Sequence, residues 1–276
     1  MIQEIAPHRL NNQYQPGREP QADDYVIAFQ GQNVLCALDG ETLRLMRVSE
    51  TEKEGLIYLF SIDERAFYLI QEPGELPDGY AFHEVWRRRT DMEVPQEIMF
   101  AVATGMHLAH WYRNNRHCGR CGAATEHAGD ERALVCPDCG NRIYPRLMPA
   151  VIVGVTNGDK LLVTKYSDRP LPFYALVAGF VEIGETLEEC VAREVMEEVG
   201  LRVENIRYYK SQPWGIVDDI LAGFYCDVDG DPTVHLDKSE LREGIWARRG
   251  EVPMQPDSFS LTGEMMRMFN EGKEPR

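Results

Sequence analysis

Glu194, Glu197 and Glu198 stand at i, i+3 and i+4 in the stretch GFVEIGETLEECVAREVMEEVGL, residues 179–201. On a helix this spacing puts three carboxylates on one face. Each like-charge i,i+4 pair opposes the helix by roughly 0.2–0.5 kcal/mol. A hard divalent cation on that face removes the repulsion, and oxygen donors of this kind suit Mg²⁺ or Mn²⁺. The ordinary alternative for an acidic helix face is simple solvation. A second set of residues offers different metal chemistry. Cys118, Cys121, Cys136 and Cys139 form two C-x2-C pairs separated by fourteen residues, and each pair is followed by a glycine, Gly122 or Gly140. Four thiolates close a tetrahedral Zn²⁺ site with no open position, so this zinc is structural; an iron–sulfur cluster is the weaker alternative. The glycines permit the left-handed turn that a metal knuckle needs.

The acidic face is framed by local signals that fix a helix. Thr186 and Glu189 make a capping-box pattern that starts it near Leu187, and Gly200 is placed to end it. Leu187, Val191, Val195 and Val199 recur every fourth residue and give the helix an apolar stripe for a core. Upstream, Ala150–Thr156 and Lys160–Lys165 predict a hairpin around Asn157-Gly158, and Tyr174–Val177 predicts a strand leading into the acidic loop. Downstream, strands are expected at Arg207–Lys210, Ile220–Asp227 and Gly244–Ala247, with a closing helix at Ser258–Asn270. Before the cysteines, Pro95–Arg113 reads as a helix. Strands are expected at Tyr25–Phe29, Val34–Leu38, Leu56–Ser61 and Ala66–Ile70. The fold class is therefore α+β. The divisions are an N-terminal mainly-β domain (1–94), a connecting helix (95–116), a zinc ribbon (117–145) and a catalytic domain (146–276).

Length and charge limit the alternatives. The chain has 276 residues, room for two domains, and carries a net charge of -16. Such a chain gains nothing from non-specific attraction to phosphate backbones, which opposes RNA binding through the ribbon. The basic run Trp86-Arg87-Arg88-Arg89 reads as a solvated edge. No apolar run approaches bilayer length and no secretory signal is visible, so no membrane role and a cytoplasmic location are expected. Of seven cysteines, Cys36, Cys190 and Cys226 lie in apolar sequence and read as packed thiols.

Gly179, Glu185, Arg193, Glu194, Glu197, Glu198, Gly200 and Leu201 fit G-x5-E-x7-R-E-U-x-E-E-x-G-U at every fixed position, with U aliphatic. This resembles the Nudix box of hydrolases that cleave nucleoside diphosphates linked to another moiety. The resemblance implies a Nudix α/β/α sandwich whose metal ligands are Glu194, Glu197 and Glu198. In it Arg193 orients the carboxylates and Glu185 supports the site. The order of N-terminal domain, four-cysteine ribbon and box, with Ser211-Gln212-Pro213-Trp214 further on, is similar to the NADH pyrophosphatase subfamily. That similarity implies cleavage of the pyrophosphate of NADH or NAD⁺ to a nicotinamide mononucleotide and AMP. It also implies NAD-cap removal from RNA and a homodimer. Glu198 and Glu194 then lead the catalytic set with Arg193. Glu240 completes the metal site by its position in the family, with Glu243 as fallback. Phe180, Ser211, Gln212 and Trp214 become candidate substrate contacts. His235 and His117, candidate bases, are more readily read as solvated or packed. The array departs from the subfamily after Trp214, where Gly215-Ile216-Val217-Asp218-Asp219 follow. This leaves open a Nudix hydrolase for ADP-ribose or dinucleoside polyphosphates, or a non-catalytic nucleotide sensor.

Overall fold

The structure, a computed structural model, describes residues 1–167 and 172–275. It divides into two compact units. One comprises Ile2–Leu147 together with the short segment Trp214–Asp218; the other comprises Met148–Pro213 and the chain from Asp219 onward, with Met1. No helix among the described residues is long and apolar enough to cross a membrane.

The first unit opens with β1 (Leu10–Asn11), β2 (Tyr25–Ile27), β3 (Phe29–Gln30), β4 (Asn33–Asp39), β5 (Thr42–Arg47), β6 (Ile57–Ile62), β7 (Arg65–Leu69) and β8 (Tyr80–His83). These form one sheet in the order β1-β6-β7-β2-β5-β4-β3, with β8 on β4. The expected strand at Tyr25–Phe29 is broken in two, and β5 lies outside the expected set. In β5 the charged Arg44 and Arg47 interrupt an apolar run, yet Leu43, Leu45 and Met46 are buried. α1 (Gln96–Asn114) begins after Pro95 as the sequence predicts. Gly105 lets it approach the sheet, since a Cβ there would meet Ile27 Cδ1 at 2.4 Å. The ribbon follows with β9 (Glu126–His127), β10 (Leu134–Val135) and β11 (Arg142–Ile143).

The second unit is built on β12 (Met148–Asn157), β13 (Lys160–Tyr166), β14 (Val177–Phe180), α2 (Leu187–Val199), β15 (Val203–Trp214), β16 (Asp219–Val228), β17 (Leu241–Arg248) and α3 (Leu261–Asn270). The sheet order is β15-β16-β12-β13-β17. β12 runs parallel to β16 from Met148↔Asp219 to Thr156↔Asp227. The hairpin at Asn157-Gly158 pairs β12 with β13 only at Thr156↔Leu161 and Asn157↔Lys160, after which β13 turns to β17. β14 takes the vacated edge of β12, pairing Ala150↔Phe180 through Val153↔Val177. This strand therefore lies later than the sequence predicts and holds Gly179 and Phe180 themselves. Ala175 makes only an isolated bridge to Thr164, and the Tyr174 hydroxyl donates to Glu243.

Alternation along the strands produces two cores. Val151, Val153 and Val155 of β12, with Phe224 and Cys226 of β16, pack with Val191, Val195 and Val199 of α2. The opposite face of β16 meets α3: a Cβ on Gly223 would touch Met265 and Leu261, and the Tyr225 hydroxyl donates to the Met265 carbonyl. One helix on each face gives the expected sandwich. Each buried Val contributes about 1.5–3 kcal/mol, so the α2 stripe outweighs repulsion among its glutamates, at roughly 0.2–0.5 kcal/mol per pair.

Candidate active site

α2 starts on the capping box anticipated from sequence. The Thr186 hydroxyl accepts from the Glu189 amide at 3.2 Å, and the Glu189 carboxylate accepts from the Thr186 amide at 2.8 Å. It ends at Gly200, in the left-handed region at φ 69°. A loop then docks on its C-terminus: the His235 amide donates to the Val199 carbonyl and the Asp237 amide to the Glu198 carbonyl, each at 2.9 Å. The amides of Glu240 and Leu241 turn back to the Asp237 carbonyl, and the Ser167 amide holds the Glu240 carbonyl at 2.7 Å. The two otherwise orphaned helix carbonyls thus fix where Glu240 stands.

Arg193 organises the carboxylates. Its guanidinium forks onto Glu185 at 2.8 and 2.9 Å and donates to Glu194 at 2.7 Å, to Glu197 at 2.9 Å and to the Phe180 carbonyl at 3.0 Å. Glu185 also accepts from the Glu182 amide, and the Arg193 bonds with that amide hold its carboxyl down at about 2. Glu194 lies flat against β14: a Cβ on Gly179 would sit 1.8 Å from its carboxyl carbon. That close approach explains why a glycine opens the box.

Glu198 is 2% exposed. It accepts from the Ala178 backbone, but its Oε2 is buried with no hydrogen-bond partner. Burial pushes its carboxyl up to about 8, and the charges of Glu194 and Glu240 push the same way. Glu194 is likewise raised, by burial first and then by Glu197 and Glu240, against the pull of Arg193. The charges of Glu194 and Glu240 thus both bear on the buried Glu198 carboxyl. Glu197 is exposed and turned to Arg193. Glu243 is committed elsewhere, to Lys165 at 3.0 Å and the Tyr174 hydroxyl at 2.6 Å. His235 and His117 are exposed.

The candidate substrate contacts divide. Phe180 is 53% exposed beside the box, and Ser211 is exposed. Gln212 differs from the expectation. It is fully buried, its Nε2 donating to the Phe259 carbonyl at 2.7 Å and its Oε1 accepting from the Leu261 amide at 2.6 Å. Its amide ties β15 to the start of α3 and is not free to meet a ligand. Trp214 packs edge-on against Trp86, ring centroids 5.2 Å apart. The residues after it, divergent in sequence, are absorbed by packing. Gly215 backs onto the Ala103 carbonyl, where a Cβ would come within 2.2 Å. Ile216 is buried, and Asp218, at φ 65°, pairs with His110 at 2.9 Å. No sequence signal marks Trp86 or His110 as partners of this loop.

In the ribbon, Cys118 and Cys139 sulfurs lie 3.7 Å apart and Cys121 and Cys136 sulfurs 3.4 Å apart, with all four within 4.8 Å of one another. A Zn–S bond of about 2.3 Å requires tetrahedral edges near 3.8 Å, so the cage fits zinc. Gly122 (φ 81°) and Gly140 (φ 70°) make the left-handed turns, their amides donating to the carbonyls of Cys118 and Cys136. Among the described residues no other group of three or more such donors is gathered as closely.

Residues 146–267 match the NUDIX domain model, and residues 113–144 match the NADH pyrophosphatase zinc ribbon domain. The chain is 37% identical over 205 residues to the NAD-capped RNA hydrolase NudC of Enterobacter sp. (strain 638), covering 70% of this chain and 79% of that one. It is 36% identical over 185 residues to the protein of the same name from Shigella dysenteriae serotype 1, covering 67% and 72% respectively. A crystal structure of a Nudix hydrolase from Nitrosomonas europaea superposes with a TM-score of 0.49 at 23% identity, over 56% of this chain and 91% of that one.

Proposed function

The chain belongs to the Nudix hydrolases, in the branch that carries the NADH pyrophosphatase zinc ribbon, and from that premise we propose that it hydrolyses the pyrophosphate bond of NADH or NAD⁺ to a nicotinamide mononucleotide and AMP, and removes NAD caps from RNA. The observation that carries this reading is the buried, partnerless oxygen of Glu198, whose carboxyl feels the charges of Glu194 and Glu240. A buried carboxylate without a donor is costly unless a cation meets it. Glu194, Glu198 and Glu240 would hold Mg²⁺ or Mn²⁺, with Glu197 at the open edge. An ion held by these carboxylates would supply charge neutralisation for the diphosphate and a water of lowered pKa as the nucleophile.

The protein's own residues supply the rest. Arg193 fixes Glu194 and Glu197 by short charge-assisted bonds and is itself locked by Glu185. Phe180 offers an exposed ring for a nicotinamide or adenine, a contact of about 1–3 kcal/mol by analogy with base stacking. Ser211 offers a hydroxyl, and Gln212 holds β15 in place beneath it. Family membership supports a homodimer, read by light scattering. The deciding assay is product chromatography with Mg²⁺ or Mn²⁺ on NADH, NAD⁺, ADP-ribose and diadenosine polyphosphates. AMP and nicotinamide mononucleotide from NADH, with no free nicotinamide, is the expected result. Cleavage of ADP-ribose far faster than NADH would replace the reading.

A further inference from the structure

The loop that carries Glu240 is tied together at one residue. Leu236 and Leu241 anchor its ends in the α2 core: Leu241 is fully buried, and a Cβ on Gly244 of β17 would come within 2.8 Å of Leu236. Between these anchors Lys238, Ser239 and Glu240 are all exposed, so packing does not select their conformation and hydrogen bonds must. Asp237 supplies them from both its backbone groups and its carboxylate. Its amide donates to the Glu198 carbonyl at 2.9 Å, and its carbonyl accepts from the amides of Glu240 at 3.2 Å and Leu241 at 2.8 Å. Its Oδ1 accepts from the Ser239 amide at 2.8 Å and the Ser239 hydroxyl at 2.6 Å. One residue thus joins the backbone of Glu198 to that of Glu240. Gly200 makes room for the loop, since a Cβ there would meet the His235 Cβ at 2.9 Å. From the end of β13 the Ser167 hydroxyl adds a bond to the Lys238 carbonyl at 3.2 Å.

We propose that Asp237 is the positioning residue for Glu240: its carboxylate closes the turn that delivers Glu240 to the acidic face of α2, and it acts through hydrogen-bond geometry, not through charge. The proposal rests on the metal-site reading above, in which Glu240 completes the set on α2, and adds the residue that sets it there. A side chain that accepts from the backbone two residues on must be short and must carry its acceptor at the δ position, which Asp and Asn both do. Glu carries the same charge one carbon too far out. Three bonds of Asp237, from the amides of Ser239 and Glu240 and the Ser239 hydroxyl, lie between Glu240 and the freedom of an exposed loop. A group that orients a metal ligand in this way typically matters about 10–100-fold in metal affinity.

The test is Mn²⁺ binding to the full chain without nucleotide, read by electron paramagnetic resonance, for wild type, Asp237→Asn, Asp237→Glu and Asp237→Ala. Asn keeps the acceptor and loses the charge; Glu keeps the charge and loses the turn. The Kd for Mn²⁺ should stay within about threefold in the Asn variant and rise about tenfold or more in the Glu and Ala variants. Melting of the metal-free proteins should differ by no more than about 4 °C, so the loss is not one of folding. In a Glu240→Gln background, Asp237→Ala should weaken Mn²⁺ no further, because it acts through the carboxylate already removed. An unchanged Kd in the Ala variant, an Asn variant as weak as Ala, a Glu variant as tight as wild type, or an undiminished loss in the Glu240→Gln background would each overturn the assignment. Should the Ala variant fail to fold, the contrast between Asn and Glu makes the same decision. Wild type that binds no Mn²⁺ would sink the metal-site reading and this inference with it. Wild type that binds Mn²⁺ with no contrast among the variants sinks this inference alone.

Discussion

Glu198 is held with one carboxylate oxygen shut away from any donor, and this has a pH signature. Its folded value lies near 8 against an ordinary 4.5, so between those limits the folded chain binds more protons than the unfolded one. Stability from this group is therefore full below about pH 4.5 and is lost as pH rises through about 8. With divalent ions withheld, Glu198→Gln should raise the melting temperature at pH 8 and leave it nearly unchanged at pH 5. Added Mg²⁺ should stabilise wild type more than the variant. Turnover at saturating Mg²⁺ should fall roughly 10²–10³-fold, the scale of losing one charge-stabilising group. Differential scanning fluorimetry and steady-state rates separate the two effects; activity within a few-fold of wild type would remove Glu198 from the site. Gly179→Ala probes the neighbouring carboxylate. The methyl would sit 1.8 Å from the Glu194 carboxyl carbon and must displace it. A loss of at least about tenfold in kcat, with a raised Mg²⁺ half-saturation and unchanged circular dichroism, is the expected outcome.

At the scale of elements, Gln212 decides between two roles. Gln212→Leu keeps the volume but strips the Leu261 amide and the Phe259 carbonyl of their buried partner. Each stranded group costs about 1–3 kcal/mol, about 2–6 kcal/mol for the two, so at about 2–4 °C per kcal/mol the melting temperature should fall by at least roughly 4–8 °C. A substrate contact would instead raise KM for NADH and leave melting unchanged. This residue also marks where sequence ceases to be informative. The box, its cap and its apolar stripe are legible because all of their signals lie within one short stretch of chain, residues 179–201: Thr186 reaches only to Glu189, and Val191 to Val195 is one turn. The four cysteines are legible for the same reason. The placement of Glu240 comes from family position alone, because it depends on amides of His235 and Asp237 finding the end of a helix more than thirty residues earlier. Sequence places β14 too early because its register is set by β12 and not by its own pattern. The burial of Gln212, and the partners of Trp214 and Asp218, depend on contacts across 47 to 128 positions and leave no local trace.

For the whole molecule, the zinc ribbon is expected to matter for integrity and not for chemistry. Purified without added zinc, the protein should contain about one Zn²⁺ per chain by elemental analysis, since a four-thiolate cage has no open position. Cys136→Ser should lower the melting temperature and open residues 116–143 to protease, while the Mg²⁺ half-saturation of the residual activity stays the same. The segment Trp214–Asp218 has a different consequence. It joins two strands of the catalytic sheet yet belongs by its packing to the other unit, where Gly215 fits only as glycine and Ile216 is buried. A gene fragment cut at residue 147 would carry that tip without its bed, leaving Ile216 bare and Asp218 without His110. The catalytic half is therefore not a cassette. Transplanting it between lineages means either carrying the amino-terminal half along or rewriting five residues at the hairpin tip, and drift in α1 has to be matched by drift at 214–218.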